Sequence, residues 1–158
     1  MFNTTIATQI YAKICFEATN SQKKIIENLS EYLSDDDFSR IFVLNGFAGT
    51  GKTTLIAALV AALKELRIKP VLLAPTGRAA KVLARYCGEQ ALTIHKRIYR
   101  QRTNADYESK FSLDFNREQG AVFIVDEASM LSDSTGDGAL FGSGSLLEDL
   151  VSYVRSGR

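Results

Sequence analysis

The chain has 158 residues, 46% of them hydrophobic and 23% charged, with a formal net charge of +1. That balance fits a single soluble domain that buries roughly 68–70% of its unfolded surface, and it argues against a disordered chain. The longest unbroken apolar run, Leu55 to Leu63, is nine residues, whereas a membrane span needs about 20, so no membrane partner is expected. Met1 to Thr5 shows no basic patch leading into an apolar core, so no secretion signal is read there. Two cysteines, Cys15 and Cys87, are too few for a disulfide framework. They are expected to be small buried hydrophobes in a reduced compartment, and the chain to be cytoplasmic.

Short apolar β-type runs alternate with helical stretches along the chain, the pattern of an α/β domain with a parallel sheet. Residues 1–18 form an N-terminal extension. Thr19 to Leu33 is expected to be helical, with Thr19 and Gln22 spaced as a capping box and Ile25, Ile26, Leu29 and Leu33 along one face. The acidic run Asp35-Asp36-Asp37 precedes a first strand, Ile41–Leu44. A glycine-rich turn then opens a helix from Lys52 to Arg67, and Val71–Ala74 is the second strand. Pro75-Thr76-Gly77 turns into a helix from Arg78 to Tyr86, stopped by Gly88. Thr93–Tyr99 reads as a short helix. Gln101–Gly120 is polar and irregular, apart from a strand-like alternation of Phe111, Leu113 and Phe115. Val122–Val125 is the third strand. Asp133–Ser145, with four glycines, reads as a mobile loop, and Ser145 with Glu148 opens a last helix to Arg155. No repeat and no long linker divides residues 1–158, so one domain is expected.

Gly46-Phe47-Ala48-Gly49-Thr50-Gly51-Lys52-Thr53 fits the phosphate-binding pattern G-x-x-x-x-G-K-[ST] in full. Glycines let the backbone curl round a phosphate with its N–H groups inward, and the following helix adds about half a positive charge at its N-terminus. Lys52 would reach the β- and γ-phosphates, and the Thr53 hydroxyl would bind Mg²⁺. The strand Val122–Val125 runs into Asp126-Glu127, carboxylates suited to Mg²⁺ (Asp126) and to activating the attacking water (Glu127). A GTPase would show D-x-x-G here and N-K-x-D elsewhere. Asp126 is followed by Glu127-Ala128-Ser129 and no N-K-x-D occurs, so ATP with Mg²⁺ is the expected pair.

Four segments in one order now resemble superfamily 1B DNA helicases. They are Asn20-Ser21-Gln22, Gly46 to Thr54, Leu73-Ala74-Pro75-Thr76-Gly77-Arg78-Ala79-Ala80, and Ile124-Val125-Asp126-Glu127-Ala128-Ser129-Met130. A fifth, Thr93-Ile94-His95, resembles a short motif of the same helicases. The likeness is strongest to the RecD-like group (exodeoxyribonuclease V alpha subunit), with Dda-like helicases nearby, and it covers Thr19 to Ser132. It implies a RecA-like three-layer α/β/α P-loop domain, incomplete at its C-terminus. The parent protein would be an ATP-dependent DNA helicase of repair or recombination, moving 5′ to 3′ on single-stranded DNA. Its catalytic residues would be Lys52, Asp126 and Glu127. Nucleotide would be bound by Gln22, Gly46, Ala48, Gly49, Thr50, Gly51, Lys52, Thr53 and Thr54, and the metal by Thr53 and Asp126. Gln22 has two readings: an amide matched to the adenine edge, or the capping-box residue.

The resemblance also assigns Pro75, Thr76, Gly77, Arg78, Thr93, His95 and Lys96 to single-stranded DNA, with other subunits of a recombination or repair complex as further partners. For His95 a local cap or packed ring stands beside that role. Tyr99, Tyr107, Phe111 and Phe115 either stack on bases or pack in the core. Between Arg78 and Arg102 seven basic residues face one acidic residue, Glu89, leaving the remainder of the chain acidic. Such asymmetry suits a phosphate backbone or a solvated face. The helicases resembled carry a further glycine–aspartate–glutamine motif and a second RecA-like domain, which this sequence lacks, so turnover close to background is expected of the chain alone. A binding module without turnover and a P-loop small-molecule kinase are the competing readings. Asp133–Gly138 begins like a calcium-binding loop, but Gly144 stands where the bidentate glutamate belongs, which rules against calcium.

Overall fold

The computed structural model describes residues 2–35, 37, 39–47, 49–103, 109–131 and 142–157. They fall into two compact units, one of residues 1–68 with 86–88, the other of residues 69–85 with 89–158.

The first unit is helical. α1 (Phe2–Lys13) packs on α2 (Asn20–Ser34) and α3 (Lys52–Glu65). The pairs Ile6/Ile10 and Ile26/Ser30 recur every four residues, so each helix buries one face. A Lys13–Glu65 ion pair links the end of α1 to the end of α3. The capping box of α2 forms as its spacing indicated: Thr19 Oγ1 accepts from Gln22 N at 3.3 Å, and Gln22 Oε1 accepts from Thr19 N at 2.9 Å. The extension 1–18 therefore contains a helix that the sequence reading did not anticipate.

The second unit carries a parallel sheet in the order β2 (Ala91–Thr93), β1 (Pro70–Ala74), β5 (Val122–Val125). Pairing sets Val71 beside Phe123 and Leu73 beside Val125. These side chains share one face because strand side chains alternate with a period of two. They form a core with Ile94 and Ile98 of α5 (Ile94–Ile98) and with Leu150 and Tyr153 of α6 (Leu146–Arg155). Both α4 (Gly77–Cys87) and α6 begin on hydroxyl caps, Thr76 and Ser145, each accepting from the backbone N–H three residues on. Asp149 is buried against the core, where its Oδ2 accepts from the Tyr99 hydroxyl at 2.6 Å and from Ser143 N at 3.0 Å. Position 142 must be glycine: its φ is +45°, and a Cβ there would lie 1.9 Å from that carboxylate oxygen.

Three expectations need correction. Ile41–Leu44 joins no strand ladder among the described residues. Its apolar alternation is real, but Ile41 and Val43 are 62% and 79% exposed. Side chains hold the segment instead: Tyr32 donates to Arg40 O at 3.1 Å and lies 5.5 Å from the Phe42 ring. The stretch 101–120 is more regular than its polarity suggested, because β3 (Tyr99–Thr103) and β4 (Ser109–Leu113) pair as an antiparallel hairpin. The cysteines are not buried, Cys15 being exposed and Cys87 half-buried. The expected Asp133–Ser145 loop lies outside the described residues up to position 141, as does Tyr107. Among the described residues no helix is long and apolar enough to cross a membrane.

Candidate nucleotide-binding site

The phosphate loop belongs to the first unit. Gly49 and Gly51 take left-handed φ values of 77° and 83°, a conformation that costs other L-residues roughly 1–2 kcal/mol. Those two positions turn the chain sharply into α3, whose first hydrogen bond runs from Leu55 N to Gly51 O at 3.0 Å. Thr50 Oγ1 donates to Phe47 O at 2.8 Å and tightens the loop. Lys52 Nζ donates back to Gly46 O, and to Phe47 O at 2.7 Å. The ammonium is thus held by carbonyls of its own loop, bonds that a phosphate oxygen would replace with stronger, fully charged ones. Thr53 is half-buried and Thr54 exposed. Ala48 lies outside the described residues.

Gln22 meets this loop. While its Oε1 closes the helix cap, its Nε2 donates to Thr50 O at 3.4 Å and lies 2.9 Å from where a Cβ on Gly51 would stand. The capping role is therefore formed. It uses only one end of the amide and leaves the other against the phosphate loop. Asn45 was not foreseen: its Oδ1 accepts from Gly46 N at 2.8 Å and fixes the entry to the loop. An asparagine directly before a glycine is the local signal that marks it.

In the second unit the remaining motifs come together. Asp126 N extends the ladder to Leu73 O at 3.0 Å, so Asp126 and Glu127 leave the C-terminal end of β5 beside the end of β1, where Pro75, Thr76, Gly77 and Arg78 begin. Thr93 pairs with Ala74, which sets Thr93 and His95 at the same edge. Glu127 has φ +54° at the start of a short 3₁₀ turn, Ala128–Met130. A non-glycine residue in that region costs of order 1–3 kcal/mol and is concentrated at functional sites. Asp126 Oδ1 accepts from Glu127 N at 3.0 Å.

Thr76 and Thr93 hydroxyls each cap the helix that follows, at 3.2 Å to Ala79 N and 3.2 Å to Lys96 N. Gly77, Arg78 and Lys96 are exposed, and the His95 ring lies 5.7 Å from that of Tyr99. Tyr99 and Phe111 take the packing role, whereas Phe115 is 61% exposed. Two of the seven basic residues are neutralised from outside their stretch: Arg97 by Glu118 at 2.9 Å and Arg100 by Asp114 at 2.8 Å. Glu118 also accepts from Lys69 at 2.7 Å, and those hydrogen bonds, from Lys69 and then Arg97, hold its carboxyl below the ordinary glutamate range.

Comparison with known proteins agrees with this layout. A family model described as an AAA domain matches residues 17–140, most of the chain and every motif above. The chain belongs to that family. Its AAA domain is similar to the ATP-dependent RecD2 DNA helicase of Deinococcus radiodurans, at 29% identity over 114 residues. That alignment takes in 72% of this chain and 15% of the relative, so the chain spans a small part of the helicase it matches. The RecD-like resemblance read from the motifs is borne out, as is a P-loop α/β fold of partial RecA-like form built on a parallel sheet. The donor set suits a nucleotide. Lys52 offers a cation and the loop N–H groups an anion cradle, both within the first unit.

Proposed function

We propose that the chain is the ATP-binding motor portion of a RecD-type DNA helicase, coupling ATP hydrolysis in its parent to movement along single-stranded DNA. The observation that supports this best is the convergence of Pro75–Arg78, Thr93–His95 and Asp126–Glu127 on one edge of the sheet. Ligand sites of parallel sheets form at the carboxyl ends of the strands. In this reading a segment for the DNA backbone and one for the nucleotide end neighbouring strands, which would couple a shift of one to the other.

Each residue has a definite task in this reading. Lys52 exchanges its bonds to Gly46 O and Phe47 O for the β- and γ-phosphates. Gln22 matches the adenine edge through its amide. Thr53 and Asp126 are the residues that would supply oxygen ligands to Mg²⁺, which would neutralise charge on the phosphates. Glu127 takes the proton of the attacking water. Arg78 and Lys96 face DNA phosphates, assisted by the Thr76 and Thr93 hydroxyls, Pro75, Gly77 and His95. In this reading the chain alone binds both ligands while its turnover stays close to background.

Calorimetric titration with Mg·ATP and Mg·GTP, combined with fluorescence anisotropy on oligothymidylate, tests the reading. ATP should bind in preference to GTP, and DNA should bind weakly, without sequence preference, at low salt. A chain that binds neither ATP nor oligothymidylate overturns it. Activity of the full-length parent that single-stranded DNA leaves unchanged would reduce the chain to a nucleotide-dependent binding module.

A further inference from the structure

A cleft of about 190 Å³ opens in the second unit at the base of the β3–β4 hairpin, lined in part by Arg97, Arg100, Phe115, Arg117, Asp114 and Glu118. It lies away from the motif edge. Glu118 bonds Lys69, and Lys69 O accepts from Val122 N at 2.9 Å, which sets this cluster at the N-terminal ends of β1 and β5. The edge carrying Thr76 and Asp126 is a strand length away, about 15 Å.

Three features of the cleft suit a nucleotide. Its guanidinium groups outnumber its carboxylates, and both carboxylates are already engaged, Asp114 with Arg100 and Glu118 with Arg97 and Lys69. Arg97 Nε is buried with no acceptor, and Arg117 is exposed with no carboxylate partner among the described residues. Arg97 Nε, being buried, is closed to a ligand, and Arg117 is the open donor for a phosphate oxygen. Phe115 stands between the two arginine-bearing segments in sequence and keeps 61% of its surface in water, although aromatic rings of its size are usually packed. Sites for whole small molecules run from about 300 Å³, so this cleft admits a phosphate group and leaves the attached base outside, on the Phe115 ring.

We propose that this cleft is a second single-stranded DNA contact, taking one phosphodiester against Arg117 with the adjoining base stacked on Phe115. It rests on the reading of the chain as part of a DNA motor, but not on the residues of the motif edge. Engagement here would hold DNA at both ends of the sheet.

The test is anisotropy of labelled oligothymidylate over a salt series, for the wild type, Arg117→Gln, Phe115→Ala, Phe115→Tyr and, as the motif-edge control, Arg78→Gln. Both Phe115 and Arg117 are exposed, so melting curves should match the wild type. Removing Arg117 should lower the log–log salt slope by about 0.7, one phosphate contact. Phe115→Ala should weaken binding roughly five- to hundredfold, and Phe115→Tyr should restore it. If Arg78→Gln weakens binding but the cleft variants behave as wild type, the cleft proposal fails and the DNA reading stands. An Arg117 effect without a Phe115 effect means a bare-phosphate site, which overturns the nucleotide assignment. Absence of wild-type binding at low salt removes both.

Discussion

Gln22 serves two structures at once, and the two can be separated by one atom. Its Oε1 completes the cap of α2, while its Nε2 reaches Thr50 O in the phosphate loop. Gln22→Ala removes both. One net hydrogen bond contributes about 1 kcal/mol, which for a chain of this size lowers Tm by roughly 2–4 °C. Gln22→Glu is the informative partner, since glutamate closes a capping box as well as glutamine does but has no N–H to give. A bidentate amide–adenine pair is worth roughly 1–3 kcal/mol of base discrimination, or about 5- to 150-fold. The new carboxylate repels the phosphates of ATP and GTP alike, so the ratio of their affinities, and not either one alone, reports the loss. Calorimetry should then show Gln22→Glu melting between wild type and Gln22→Ala, the cap kept and the bond to Thr50 O lost, with its ATP-over-GTP preference gone. A wild-type ratio in Gln22→Glu refutes adenine recognition by this side chain. A melting loss equal to that of Gln22→Ala refutes the cap argument.

Lys52→Ala removes a charged donor that contributes about 1.5–3 kcal/mol, so Mg·ATP affinity should fall at least tenfold by calorimetry; unchanged affinity would misplace the site. Lys69→Gln should make the fold more acid-sensitive. Glu118 is held below its ordinary value of 4.5, chiefly by its hydrogen bond from Lys69, so its stabilisation is full above that pH and is lost as pH falls through the lower folded value. Circular dichroism should show the acid transition of Lys69→Gln at higher pH than wild type, and identical transitions would deny the linkage. Tyr99→Phe should cost about 2 kcal/mol by stripping buried Asp149 of its hydroxyl donor. Burial, then the bond to Asp149, raises the Tyr99 ionisation above its usual 10.0. Its contribution therefore persists below that pH and fades as pH rises through the folded value. A wild-type minus Tyr99→Phe ultraviolet titration with a phenolate step near pH 10 would contradict this.

The parts legible in the sequence are those fixed by near neighbours. The Thr19/Gln22 box, the Gly88 stop and the glycine turn from Gly49 into α3 each depend on residues a few positions apart, and each formed as read. The parts missed depend on distant partners. Ile41–Leu44 has the alternation of a strand, yet a strand exists only where another supplies its ladder. Gln101, Arg102 and Thr103 have no such alternation, yet pair with 109–111. The Lys69–Glu118–Arg97 cluster joins three elements through side chains far apart in sequence, and no spacing rule announces it. Pro75–Arg78 and Thr93–His95 share one sheet edge, yet only family likeness singled them out, since Thr76 and Thr93 look locally like ordinary caps.

The base of the hairpin carries a consequence for how this chain varies. Asp114 N donates to Ile98 O at 2.7 Å, so the chain leaves the core after α5 and returns to it at nearly the same point. Tyr99 and Leu113 pair at that doorway and belong to the core side. Everything beyond Gln101 and Phe111 is an excursion whose ends are already closed. Doubling the length of such an excursion costs only about 0.6 kcal/mol in closure entropy. Evolution, or a protein engineer, is therefore free to lengthen, shorten or exchange the outer part of this excursion while the parallel sheet keeps its form.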